Sequence, residues 1–227
     1  MTSKLLLFAA FVVSMLLMSM NYKKRRRKIV FFGDSITEQG TSQGGYIKQL
    51  QYLLGEAAID DDYELVNAGV SGDKIYDLYL RMSEDILFRG ADIVVIFIGV
   101  NDVGHKFSLL TGTDIKRFEA FYIAIIERLI SATIKVVLCT PALIGENPAF
   151  ESNEDKELEL YSDVIRGLAS GYDLPLVDVR KAFTSYNIAY NIENKEEGVL
   201  TRDKVHLNNK GNALLAEEMW QVLKDVK

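Results

Sequence analysis

Cysteine, proline and histidine are scarce in this chain of 227 residues, which holds one Cys, three Pro and two His. The single cysteine, Cys139, excludes an intrachain disulfide and a zinc site built from cysteines. Because Cys139 lies in the apolar run KVVLCTP, we expect a buried structural thiol. Few prolines and no biased tract predict a folded chain with little room for a disordered linker.

Acidic residues are missing from the first 28 positions, which carry seven Lys or Arg. The remainder combines 19 basic with 32 acidic side chains, a net charge of −13. Nucleic-acid binding needs a cationic face, so this acidic body argues against a nucleic-acid partner.

A hydrophobic run without charges extends from Leu5 to Met20, and the basic cluster KKRRRK follows at 23–28. With the next two residues the run would span about 27 Å as a helix, just short of a ~30 Å hydrocarbon core. One Lys precedes the run and no A-x-A cleavage site follows it, so we expect a membrane anchor in 1–22 and a basic linker in 23–28. The positive-inside rule then predicts a cytoplasmic domain, and export with a signal peptide is the alternative.

From residue 29 to the end, short apolar runs alternate with longer helical patterns. We predict strands at 28–32, 63–67, 92–99, 135–140 and 174–179, and helices near 45–57, 76–88, 113–131, 154–171 and 209–226. This alternation is typical of a parallel sheet with right-handed crossovers. The expected fold class is therefore a three-layer α/β/α domain with a flavodoxin-like, doubly wound sheet of about five strands.

Polar and small residues concentrate where the predicted strands end. The loops GDSIT, NAGVSGDK, GVNDVGH and TPALIGENP follow the first four strands, and TRDKVHLNNKG precedes the last helix. Both histidines of the chain lie in these loops. Doubly wound sheets bind ligands beyond the carboxyl ends of their strands, so these loops are the candidate site.

A serine hydroxyl in such a site needs a base, usually a histidine that a carboxylate orients. Ser35 is the candidate nucleophile, and two histidines could serve as its base. His105 and His206 each follow an aspartate by three residues, Asp102 and Asp203 respectively. The spacing alone does not choose between these two pairs.

Ester hydrolysis through a serine also needs donors for the developing oxyanion. The turn at Ser35 leads into a predicted helix, where backbone N–H groups are unpaired. Gly72 allows close backbone approach, and Asn101 offers a side-chain amide. Asp34 is suited to hold the turn by accepting a backbone hydrogen bond.

Four sequence blocks, FFGDSIT, NAGVSGDK, GVND and DKVHL, occur in this order over residues 31–207. In these blocks the chain resembles the GDSL, or SGNH, hydrolase family. The resemblance implies an esterase domain over 29–227 with Ser35 as nucleophile. It further implies that Gly72 and Asn101 join the Ser35 N–H in the oxyanion hole, and that Asp203 orients His206 as the base.

We expect Asp34, Asp102 and His105 to lie at the edge of the site without a role in proton transfer. The resemblance implies no metal and no organic cofactor. Two positions depart from the family pattern: GDSI replaces GDSL, and Leu207 stands where many members have proline. Neither removes a reacting group.

The expected activity is hydrolysis of acyl or acetyl esters, with small-molecule or lipid substrates, lysophospholipids among them. The segments 142–154 and 184–200 should shape the pocket, the second as a lid or as a plain connection. The alternative functions are a membrane-tethered module that binds an anion or nucleotide without catalysis, and an inactive scaffold. No Walker A loop or G-x-G-x-x-G follows the first strand, which disfavours nucleotide binding.

Overall fold

The computed structural model describes residues 25–149 and 152–226, with a parallel sheet at the centre of that part. Its strands are β1 (Arg27–Gly33), β2 (Tyr63–Gly69), β3 (Ile93–Phe97), β4 (Lys135–Cys139) and β5 (Leu176–Val177). They pair in the order β2-β1-β3-β4-β5, and each pairing is parallel. This is the flavodoxin-like order, so the predicted fold class is confirmed.

Helices cover both faces of this sheet. In chain order they are α1 (Ser35–Glu38), α2 (Tyr46–Glu56), α3 (Ile75–Met82), α4 (Val100–Ser108), α5 (Ile115–Ser131), α6 (Asn153–Gly171), α7 (Val179–Tyr190) and α8 (Asn209–Leu223). The apolar sides of α2, α7 and α8 share one buried cluster, and those of α3, α5 and α6 share the other. The sheet therefore separates two hydrophobic cores.

The central strands are apolar on both sides because both sides are covered. In β1, Ile29 and Phe31 face the core under α2, α7 and α8, whereas Val30 and Phe32 face the opposite core. Cys139 at the end of β4 is fully buried, as expected, and burial raises the pKa of its thiol.

Several element boundaries differ from the sequence prediction. The stretch 99–105 was expected as a loop, but helix α4 begins within it at Val100. The first seven residues of 184–200 belong to α7. The helix expected over 76–88 is α-helical only as far as Met82, and the chain then forms a π-helical turn, Ser83–Leu87. The strand expected over 174–179 pairs only at two residues. In α4 the pattern is polar and glycine-containing, yet the helix forms because Val103 is buried in the core and buried Asp102 accepts a hydrogen bond from Ile75 N.

The anchor predicted at 1–22 and the first residues of the basic linker lie outside the described residues. Within 25–149 and 152–226, no helix is both long enough and apolar enough to cross a bilayer.

The strand register brings three strand ends to one level. Gly33 pairs with Gly69 on β2 and with Phe97 on β3. The end of α1 lies directly over this edge, and a Cβ atom on Gly69 would overlap the backbone of Thr37 and Glu38. The close approach of α1 to β2 therefore requires glycine at position 69.

We predict that Gly69→Ala lowers the free energy of unfolding by ~1–3 kcal/mol, because the added methyl group has no space. The matched control is Gly167→Ala in the exposed interior of α6, where a Cβ meets nothing within 4 Å. That variant should gain about 0.5–1 kcal/mol from helix propensity. Urea unfolding measures both, and equal midpoints for the two variants would contradict the packing argument.

Candidate active site

Ser35 lies where β1 ends and α1 begins, at the carboxyl edge of the sheet. Asp34 caps α1, since its carboxylate accepts a hydrogen bond from Ile36 N at 3.0 Å. The cap fixes the turn, and Ser35 itself occupies the first helical position. The backbone N–H of that position has no partner within the helix. Ser35 thus offers both a hydroxyl and a free backbone donor, as the sequence predicted.

Ser35, His206 and Asp203 form one continuous chain of hydrogen bonds. Ser35 Oγ lies 3.0 Å from His206 Nε2, and His206 Nδ1 lies 2.8 Å from Asp203 Oδ2. The backbone N–H of His206 also donates to Asp203 Oδ1 at 2.7 Å. A carboxylate only accepts, so Nδ1 carries the proton and Nε2 is left to accept from Ser35. The imidazole is therefore oriented to take the Ser35 proton.

Asp203 remains a charged partner for this imidazole. Partial burial works to raise its pKa, yet the hydrogen bonds from the backbone and ring of His206 hold that pKa below its ordinary value. Its side chain stays about half exposed, which keeps the penalty of ionisation small.

Gly72 lies in the loop after β2, and Asn101 lies in the first turn of α4, which follows β3. Gly72 has φ +85°, a conformation that favours glycine. Asn101 Nδ2 donates to the carbonyl of Asp73, the neighbour of Gly72, at 3.0 Å. An amide nitrogen carries two N–H groups, so one stays available. The end of β1 is connected to the loop after β2, because Val70 N donates to Gly33 O at 3.1 Å.

The buried carboxyl groups of Asp34 and Asp102 accept hydrogen bonds from backbone N–H groups. Burial raises the pKa of each to about 7, despite the backbone hydrogen bonds that lower it. Both carboxylate oxygens of Asp102 lie 3.2 Å from the N–H of Ile75, the first residue of α3. Asp102 therefore connects the start of α4 to the start of α3.

His105 lies on α4, and Ser35 hydrogen-bonds to His206 instead. Its Nδ1 is buried without a hydrogen-bond partner in the part of the chain that the structure describes. Burial lowers the pKa of His105, and the charge of Lys74 lowers it further. Asp102 directs its carboxylate at α3, so the Asp102–His105 pairing that the spacing left open is wrong.

Glu146 is a residue of this site that the sequence did not reveal. Its side chain is buried, and its carboxylate accepts hydrogen bonds from three consecutive backbone N–H groups, those of Val199, Leu200 and Thr201. The neighbouring N–H of Gly145 donates to Lys204 O at 2.9 Å. The loop after β4 therefore holds the chain immediately before Asp203 and His206.

The loop that carries Asp203 and His206 closes on itself at its base. Thr201 and Leu207 form an antiparallel bridge. Arg202 N donates to His206 O and Asn208 N donates to Leu200 O, both at 2.9 Å. The sequence had no signal for this arrangement, since a single Glu in GENP has the pattern of an exposed loop residue.

In residues 25–149 and 152–226, no group of three or more His, Cys, Asp or Glu is placed to hold a metal ion. The hydrogen-bonded chain of Ser35, His206 and Asp203 contains the residue types that nucleophilic catalysis by a serine uses.

A family model for the GDSL-like lipase/acylhydrolase family matches residues 31–214. Among curated proteins, the acetylxylan esterase of Geobacillus stearothermophilus is 27% identical over 204 residues, which cover 83% of this chain and 90% of that protein. The stretch 31–214 that the family model matches contains Ser35, Gly72, Asn101, Asp203 and His206.

Two solved structures extend this similarity to the fold. The crystal structure of the acetyl xylan esterase AlAXEase is 51% identical with a TM-score of 0.83, covering 86% of this chain and 98% of that one. LAE5, an alpha/beta hydrolase enzyme from the metagenome of Lake Arreo in Spain, is 26% identical with a TM-score of 0.77. It covers 88% of this chain and 96% of its own.

We predict that Glu146→Ala lowers the free energy of unfolding by on the order of 3 kcal/mol, because it leaves two buried N–H groups and a partly buried one unpaired. Hydrogen exchange should accelerate at Val199, Leu200 and Thr201 before it does in the sheet. The matched control is Glu196→Ala, whose half-exposed carboxylate contacts Asn147 and Lys204 side chains.

That control should change stability by no more than ~0.5 kcal/mol. If exchange at residues 199–201 were the same in Glu146→Ala as in wild type, Glu146 would not hold this segment.

Proposed function

Because the chain belongs to the GDSL-like lipase/acylhydrolase family and is a carboxylic ester hydrolase, we propose that Ser35, His206 and Asp203 are its catalytic triad. The observation that carries the proposal is the unbroken path from Ser35 Oγ through His206 to Asp203, with steps of 3.0 and 2.8 Å. These separations are within hydrogen-bond reach for proton transfer.

In the first half of the reaction, Ser35 Oγ attacks the ester carbonyl while its proton passes to His206 Nε2. The charged carboxylate of Asp203 stabilises the imidazolium that results. When the tetrahedral intermediate collapses, His206 returns the proton to the departing alkoxide. The alcohol leaves, and the acyl group stays on Ser35.

In the second half, a water molecule gives a proton to His206 and attacks the acyl carbon. The second tetrahedral intermediate expels Ser35 Oγ, which regains the proton from His206. A carboxylic acid is released, so one water is consumed for each ester bond cleaved.

The negative oxygen of both intermediates needs donors that are already in place. We assign these to the backbone N–H groups of Ser35 and Gly72 and to the amide of Asn101. Two contacts support the assignment: the bond from Asn101 Nδ2 to Asp73 O and the bond from Val70 N to Gly33 O. These two hydrogen bonds hold three loops together at the strand ends.

For the substrate we propose an acetyl ester on a carbohydrate. The support is the similarity to acetylxylan esterases, one of them 51% identical over 98% of its own length. Longer acyl esters and lysophospholipids, which the family resemblance also allows, are tested below as competing substrates. A binding module without catalysis is no longer needed as an alternative, because the chain is an ester hydrolase.

Membrane association through residues 1–22 rests on the sequence alone and stays a prediction. Its support is the uncharged run from Leu5 to Met20, followed by the basic cluster at 23–28.

For the triad, we predict that Ser35→Ala and His206→Asn each lower kcat for p-nitrophenyl acetate by about 10⁴-fold or more. Asn101→Ala should lower kcat by ~10²–10³-fold, as expected for one oxyanion donor. His105→Asn should stay within about threefold of wild type, since Ser35 contacts the other histidine. Retained turnover in Ser35→Ala would refute the proposed mechanism. Loss of turnover in His105→Asn but not in His206→Asn would identify His105 as the base.

For the substrate, we predict that the full-length protein releases acetate from acetylated xylooligosaccharides, measured by proton NMR. With p-nitrophenyl esters, kcat/KM should fall by more than about tenfold between acetate and octanoate, because each added methylene must find apolar surface. Ser35→Ala sets the background in every assay. Faster cleavage of octanoate, or release of fatty acid from lysophosphatidylcholine above that background, would assign a lipid substrate instead.

A further inference from the structure

Arg81 lies in the last turn of α3, and its side chain contacts residues at the carboxyl ends of the strands. Its Nη2 donates to Gly33 O at 2.9 Å, and its Nε donates to Asp73 Oδ2 at 2.7 Å. Its Nη1 donates to Asp85 Oδ2 at 2.5 Å, and its guanidinium lies 4.5 Å from the centre of the Phe32 ring. The side chain is 19% exposed, so these contacts are made largely out of water.

Two of these partners lie beside the proposed oxyanion donors. Gly33 precedes the Asp34–Ser35 turn, and its carbonyl accepts from Arg81 as well as from Val70 N. Asp73 follows Gly72 directly along the chain.

Asp73 also connects Arg81 to the third donor. Its carboxylate binds Arg81, while its backbone carbonyl accepts from Asn101 Nδ2 at 3.0 Å. The Arg81 guanidinium thus contacts Gly33 and Asp73 directly, and through Asp73 it is connected to Asn101.

We infer that Arg81 is a positioning residue that sets the mutual geometry of the oxyanion hole. The inference rests on the proposed function, because the three donors are assigned there. Arg81 lies behind the loops and acts through Gly33 and Asp73. No part of the inference requires it to touch substrate.

The chemistry of these contacts requires an arginine. A guanidinium presents donors in a fixed planar fork, and here three of its nitrogens serve three different acceptors. A lysine ammonium on a flexible stem would keep the charge but could not reproduce that fork. The charge also matters, because burial raises the pKa of Asp73 and the Arg81 guanidinium opposes that rise.

The test compares Arg81→Lys with Arg89→Lys in the full-length protein. Arg89 is the matched control, since it pairs with the same Asp85 at 2.8 Å but is 45% exposed and contacts neither loop. Each variant is assayed for kcat and KM with p-nitrophenyl acetate and for inhibition by phenylboronic acid. The boronic acid accepts Ser35 Oγ at boron while the serine proton passes to His206, and the tetrahedral anion that results mimics the reaction intermediate.

For Arg81→Lys we expect kcat to fall by about 10- to 100-fold with KM within about threefold, because the loss is confined to the charged intermediate. Affinity for phenylboronic acid should fall by the same factor as kcat. Arg89→Lys should leave both within about twofold of wild type. A purely structural role would lower the melting temperature and leave kcat and boronate affinity of the folded protein unchanged, and that result would overturn the inference.

If Arg81→Lys does not fold, Asp73→Asn gives the same readout, since it weakens the Arg81 contact while the backbone carbonyl that holds Asn101 stays. Unchanged kcat and boronate affinity in Asp73→Asn would then count against the inference. Ser35→Ala and Asn101→Ala, run in parallel, separate the two proposals. Activity in Ser35→Ala refutes the proposed function itself. Loss of activity in Ser35→Ala and Asn101→Ala, together with full activity in Arg81→Lys, refutes only the role of Arg81.

Discussion

Parallel pairing of β1 with β2 on one side and β3 on the other is the constraint on which the site depends. Gly33 pairs with Gly69 and with Phe97, so three strands end at one level and their loops emerge together. Glycine at both paired positions lets the end of α1 lie over the edge without a clash. Ser35, Gly72 and Asn101 are far apart in sequence, yet this register brings the segments that carry them into hydrogen-bond contact.

Carboxylates that accept backbone N–H groups then hold those loops in place. Asp34 caps α1, Asp102 holds the start of α3, and Glu146 holds the segment before His206. These acids differ in burial and in pKa. Burial raises the pKa of Asp34 and Asp102 to about 7, whereas the hydrogen bonds from His206 lower the pKa of half-exposed Asp203. In the proposed mechanism, Asp203 is the acid that stays ionised beside an imidazolium, and water still reaches it.

Sequence reasoning succeeded where the local pattern and the tertiary environment agree. Strands that are buried on both faces were predicted from their apolar runs, and α5 was predicted from apolar residues at helical spacing. Both predictions succeeded because nothing in the fold opposes those preferences. It failed for α4, where GVNDVGH has the composition of a loop. Burial of Val103, together with the hydrogen bond from Ile75 N to Asp102, overrides that preference. The contacts of Glu146 and Arg81 were also missed, because their partners are backbone atoms and residues that have no fixed spacing from them.

By itself, the sequence determined the fold class, the family, the nucleophile candidate and the edge of the sheet where chemistry belongs. Periodicity and strand–helix alternation are local properties, so they can be read without a structure. Spacing alone could not choose a histidine, since Asp102–His105 and Asp203–His206 are spaced identically, and the family resemblance implied His206. Only the tertiary structure showed which histidine contacts Ser35, because that contact depends on residues far apart in the chain. Asp102 is buried against the start of α3, whereas Glu146 and the Thr201–Leu207 bridge hold the segment that carries His206 beside Ser35.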